Sequence, residues 1–185
     1  MELKCRFSII SDMGCVRTNN EDMAVLNGEF YRDNSEEGQF TMDESGRMLL
    51  AIADGMGGHN AGEVASDYVL HELDSFLLSL PEGMSENDLR SAMNSWVQQS
   101  HASLIQQGYD HPEQDGMGTT LVGLFTYESC IWMMNVGDSR LYRWRGEILR
   151  QLTTDHSLRN QQHDATLPGN VIVNCFGAHG SSIYM

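Results

Sequence analysis

Residues 48–53, Met-Leu-Leu-Ala-Ile-Ala, form a continuous apolar run that stops at Asp54 and a glycine cluster, Gly55, Gly57 and Gly58. Such a run reads as a buried strand, and its abrupt end at Asp-Gly marks a frequent place for a site. An acidic residue at a strand end presents a carboxylate, and a nearby carbonyl, to a hard cation. Glycines beside it let the backbone approach a ligand closely. Taken alone, the segment reads first as an ordinary glycine-rich turn, because such turns are common.

The elements around it set the fold class. Residues 7–11 predict a first strand and 23–26 a second, with 27–46 a polar, acidic loop or hairpin. Val64, Tyr68, Val69, Leu73, Phe76, Leu77 and Leu80 recur at helical spacing until Pro81. Ser85 and Asp88 form a capping-box pattern opening a second helix, with Leu89, Met93, Trp96, Val97 and Leu104 on its apolar face. Residues 119–126, 130–136, 140–144 and 147–152 then predict successive strands joined by short turns. Residues 155–169 read as a loop with a helical turn, and 171–174 as another strand. Strands, two helices, then a meander indicate α+β.

The chain has 185 residues, 41% of them apolar, which suits one domain with a sizeable core. Its formal charge of −15 excludes nucleic acid and anionic membrane as main partners, because phosphate repels that field. Cys5, Cys15, Cys130 and Cys175 form no CxxC pair and no zinc spacing, and read as reduced thiols. No apolar run is long enough for a membrane span and no signal peptide is recognisable, so the expected location is cytoplasmic.

Three further segments carry chemistry. Arg17, Glu21 and Asp22 follow the first strand; an Arg suits bidentate phosphate capture, and the carboxylates could join Asp54 around metal. Alone, this is a solvated charged loop. Asp115 precedes a tight turn into a strand. Asp138, between two strands, reads as a cap for turn amides.

Together the stretches SDMGCVRTNNED, AIADGMGGHNAGEVAS, GMGTTLVGLF and NVGDSRLYRWRGEILRQLTTDHS resemble the metal-dependent protein phosphatases of type 2C, the PPM family, in their bacterial form. The resemblance implies a four-layer α-β-β-α sandwich with two antiparallel β-sheets, and a pair of Mn2+ or Mg2+ ions at one end. It implies that Asp54 bridges the two ions and the Gly55 carbonyl binds one. By the same resemblance Glu21 and Asp22 lie at that centre, Asp115 holds a third, weaker ion, and Arg17 grips the substrate phosphate. The implied activity is hydrolysis of phosphoserine and phosphothreonine by metal-activated water. The implied partners are phosphorylated proteins, products of a cognate Ser/Thr kinase.

Two departures stand out. Some animal members carry a His after Asp-Gly; here that position is Met56, and His59 nearby reads as a solvated loop residue. The family's later Ser-Asp-Gly and final Asp-Asn carboxylates do not appear before the chain ends at Met185. The expectation is thus a single phosphatase domain over 1–185, incomplete at its C-terminus, leaving apolar surface and sheet edges unpaired. The alternative is a truncated or pseudo-phosphatase acting as a non-catalytic phosphoprotein-binding module.

Overall fold

The computed structural model describes residues 3–42, 47–57, 61–181 and 183–185. Strands β1 (Leu3–Ile10), β2 (Met23–Leu26), β3 (Glu29–Tyr31), β4 (Ser35–Met42), β5 (Leu49–Ala53) and the two-residue β6 (Gly55–Met56) precede the helices. Helices α1 (Gly62–Ser79) and α2 (Glu86–Asp110) follow, then a 3-10 turn at Pro112–Gln114. Next come β7 (Gly118–Thr119), β8 (Leu121–Tyr127), β9 (Cys130–Val136), β10 (Tyr142–Arg145) and β11 (Ile148–Gln151). The short α3 (Leu158–Gln161) and β12 (Phe176–Gly177) complete the order.

A five-stranded antiparallel sheet, β3-β2-β5-β8-β9, organises the fold. Successive side chains of a strand point to opposite faces. Met23 and Val25 therefore face the helices, with Leu49, Ala51 and Ala53, and pack on Val69, Leu70, Leu73, Leu89, Met93 and Trp96. Ala24, Leu26 and Leu50 face the other way and pack on Phe7, Ile9 and Phe40 of a two-stranded β1–β4 ribbon. Helix, sheet and ribbon stack as layers, giving the α+β sandwich that the sequence implied. The outer face is only partly covered: Ile10, Ile52, Ile131 and Met133 are exposed. A groove of about 480 Å³, floored by Leu50, Ile52 and Val122, runs along it to Asp22.

The helices start and stop where expected. The Ser85 hydroxyl accepts from the Asp88 N–H at 3.2 Å, satisfying an orphan donor of the first turn of α2. Ser85→Ala is expected to cost about 1 kcal/mol of stability in urea denaturation.

Three readings need correction. The acidic stretch expected as a loop or hairpin instead holds β4, paired over its whole length with β1. It is a strand because its alternate residues meet an apolar partner. The rings of Phe7 and Phe40 lie 6.2 Å apart, and the Phe7 ring lies over Gly38, where a Cβ would meet its tip at 2.7 Å. The strand expected at 119–126 breaks at Thr120, whose N–H turns to the Asp54 carbonyl. The strand expected at 171–174 amounts to a single bridge, Ser157 with Ile172, and pairing resumes in β12, against β7.

Candidate metal centre

Asp54 follows the last residue of β5, and its main chain is fixed from both sides. Its N–H donates to Thr120 Oγ1 at 3.1 Å. Its carbonyl accepts from Thr119 Oγ1 and from the Thr120 N–H, both at 3.0 Å. Both threonines are fully buried, and Thr120 Oγ1 lies 2.7 Å from Ser139 Oγ. The break in the strand at Thr120 is therefore what positions Asp54.

Close backbone packing explains why the residue after Asp54 is a glycine, Gly55. A Cβ there would lie under 3.0 Å from the carbonyl oxygens of Gly62 and Glu21, both backbone. The Gly55 N–H donates to the Glu21 carbonyl at 3.2 Å, which brings the loop of Glu21 and Asp22 against Asp54.

The electrostatics record that convergence. The Asp54 carboxyl is pushed up to about 6, first by burial, then by the charge of Asp22 and a hydrogen bond with it, then by Asp138 and Glu21. Asp138 is itself raised, first by burial, although it accepts a hydrogen bond from its own N–H. Asp138 thus bonds its own main chain and also acts on the carboxylate cluster, which the sequence reading missed. Its turn is held from behind: the Gly137 N–H donates to His156 Nδ1 at 3.1 Å, and Arg140 forks onto Asp155 at 2.6 and 2.9 Å.

Arg17 is exposed, and its guanidinium has no hydrogen bond or ion pair among the described residues. Its loop is anchored on both sides. Asp12 Oδ1 accepts from the Gly14 N–H at 2.7 Å, and the Asn19 side chain donates to Glu63. Buried Asn20 donates to Ser11 Oγ and Asp33 Oδ1, both at 2.9 Å, and accepts from the Asp22 N–H. Asp115 stands apart: it is not among the charges acting on Asp54, and its Oδ1 lies 2.6 Å from His179 Nε2. Gly58 and His59 lie outside the described residues.

The donors here are oxygens, which suit Mg2+ or Mn2+. Carboxylates gathered in this way carry excess negative charge that a cation would offset. Among the described residues no three His, Cys, Asp or Glu side chains converge closely enough to hold an ion unaided. The set fits a cation that keeps several waters and takes few protein ligands, as Mg2+ does.

The residues that sequence reasoning missed are Asn20, Arg32, Ser66, Thr119, Thr120 and Asp138. Most lie within the quoted stretches; Arg32 carried no signal, because its polar segment read as loop.

A protein phosphatase 2C family model matches residues 24–168. The serine/threonine phosphatase stp of Listeria monocytogenes is 31% identical over 131 residues, which are 71% of this chain and 52% of the relative. The serine/threonine protein phosphatase PstP of Mycobacterium tuberculosis is 34% identical over 153 residues, 83% of this chain and 25% of that protein. The chain thus spans about half the length of the first relative and a quarter of the second. Among solved structures, the catalytic domain of PstP in complex with two manganese ions superposes with a TM-score of 0.69 at 28% identity. That match covers 98% of this chain and 70% of the other.

Proposed function

The chain belongs to the protein phosphatase 2C family, and from that premise we propose that it is a Mn2+- or Mg2+-dependent serine/threonine phosphatase acting on phosphorylated proteins. One observation carries the reading: the Gly55 N–H bond to the Glu21 carbonyl holds the Glu21–Asp22 loop against Asp54, whose carboxyl is pushed up by burial and by that neighbouring negative charge. Asp54, the Gly55 carbonyl, Glu21 and Asp22 would hold two ions, and Asp115 a third. Such ions supply a nucleophilic water at neutral pH and offset charge on phosphoryl oxygens.

The protein's own part is placement. Thr119 and Thr120 fix the Asp54 main chain, and Asn20 fixes the chain between Arg17 and Asp22. Arg17 binds the phosphate with its planar fork and orients it for attack. Residues 1–185 act within one phosphatase domain in the cytoplasm, on products of a cognate Ser/Thr kinase. Nucleic acid is not a partner, given the charge of −15. No helix among the described residues is long and apolar enough to cross a membrane.

The test is hydrolysis of a phosphothreonine peptide by the 185-residue chain, with Mn2+ and with chelator. A Mn2+-dependent rate that chelator abolishes is expected. Arg17→Ala is expected to raise KM about 10- to 100-fold, the loss of one charge-assisted phosphate contact, with Arg17→Lys intermediate. The second reading, a non-catalytic phosphoprotein-binding module, is favoured by the lack of three converging side chains among the described residues. Peptide binding without hydrolysis in a folded sample would select it.

A further inference from the structure

Arg32 lies one residue past β3 and is partly buried. A surface arginine ordinarily pairs with a carboxylate, but Arg32 makes no ion pair among the described residues. Its guanidinium spends its donors on neutral acceptors instead, three oxygens and the Met23 sulfur, which lies 3.6 Å from Nη2. Nε donates to the Asp22 carbonyl at 3.2 Å. Nη2 donates to the Glu63 carbonyl at 3.0 Å and to Ser66 Oγ at 2.9 Å. Ser66 is fully buried, and its hydroxyl lies 2.6 Å from the Glu21 carbonyl, its shorter contact, and 3.2 Å from the Glu63 carbonyl. The Glu21 carbonyl also accepts from the Gly55 N–H.

Two successive carbonyls, those of Glu21 and Asp22, are therefore held by one connected set of donors running from Arg32 through Ser66. The anchor is the first turn of α1, through Glu63 and Ser66. That turn also touches the centre directly: Gly62 backs onto Gly55, and a Cβ on Gly62 would lie 2.8 Å from Glu21 Oε1. Every group that Arg32 holds by oxygen thus belongs to the wall of the carboxylate cluster or to the helix turn behind it.

We infer that Arg32 is a positioning residue for the metal centre, locking the Glu21–Asp22 main chain against α1 so that both carboxylates reach Asp54. The inference rests on the metal-dependent reading above. It does not involve contact between Arg32 and substrate or ion. The planar fork is required, because its acceptors lie on two separate segments and a lysine ammonium radiates its donors from one point.

The experiment is titration of Mn2+ into the metal-free 185-residue protein, followed by calorimetry and by the electron paramagnetic resonance of free Mn2+. Arg32→Ala is expected to weaken Mn2+ binding about 10- to 100-fold, as loss of groups that orient metal ligands generally does. Arg32→Lys is expected to recover little, whereas added guanidinium at non-denaturing concentration restores affinity to Arg32→Ala. A merely structural role would leave affinity unchanged and give no rescue. Should Arg32→Ala fail to fold, Ser66→Ala removes the relay oxygen with little change of volume and is expected to weaken binding about tenfold. Wild-type Mn2+ affinity in either folded variant overturns the inference. Absence of Mn2+ binding in the wild type would instead overturn the metal-dependent reading, and this inference with it.

Discussion

Asp54→Asn is expected to abolish Mn2+ binding and lower phosphatase activity by at least about 10³-fold, the scale of losing one group that stabilises transition-state charge, while making the metal-free protein more stable at pH 8. The second half separates a metal ligand from a merely important residue. In the metal-free protein the Asp54 carboxyl titrates at about 6 rather than at its ordinary 3.8, because burial and the neighbouring Asp22, Asp138 and Glu21 oppose its charge. Between those two values the folded state holds more proton than the unfolded state. Stability therefore falls as pH rises through that window and stays low above it. Taken at face value the shift corresponds to about 3 kcal/mol. Asp54 is reached by solvent, so screening cuts the figure to about 1 kcal/mol. An uncharged Asn removes the penalty and with it most of this pH dependence. Urea denaturation in chelator at pH 5 and pH 8 reads the effect. A variant less stable than wild type at pH 8 would mean that the cluster carries no net charge strain.

The parts of this fold legible in the sequence are those where local chemistry and tertiary packing agree. The apolar run into Asp54 is β5, Pro81 and Ser85 separate the two helices, and the apolar faces of α1 and α2 meet in the core. The acidic β4 was not legible, because nothing local favours a strand there; its pairing with β1 decides it. The break at Thr120 was hidden for a similar reason. Its strand-forming pattern continues, but its N–H and hydroxyl are taken by Asp54. Of the residues marked in the sequence, Glu21, Asp22, Asp54 and Gly55 come together, since they sit at strand ends in recognisable stretches. Arg17 lies exposed on the adjoining loop, and Asp115 is engaged with His179. Arg32 was beyond reach of any pattern, because its four acceptors are supplied by segments distant from it in sequence.

Gly55→Ala is expected to destabilise the protein by about 3 kcal/mol and to weaken Mn2+ binding by more than about tenfold. A methyl group at this position meets the carbonyl oxygens of Gly62 and Glu21 at once, each closer than 3.0 Å. Neither is the end of a flexible side chain. One belongs to the first turn of α1 and the other to the loop bearing Glu21 and Asp22, so relief requires separating β6 from both. That separation breaks the Gly55 N–H bond to the Glu21 carbonyl and moves the Gly55 carbonyl itself. A suitable comparison is Gly146→Ala in the exposed β10–β11 hairpin. There the φ of +60° penalises any side chain, but no atom lies within 4 Å of the added Cβ. That variant is expected to lose only about 1 kcal/mol, the cost of a left-handed residue, and to keep its Mn2+ affinity. Thermal and urea unfolding of both variants, with Mn2+ titration of each, separates a steric wedge from a backbone preference. Equal losses in the two would mean that the contact between Gly55 and Gly62 yields without cost and does not hold the centre together.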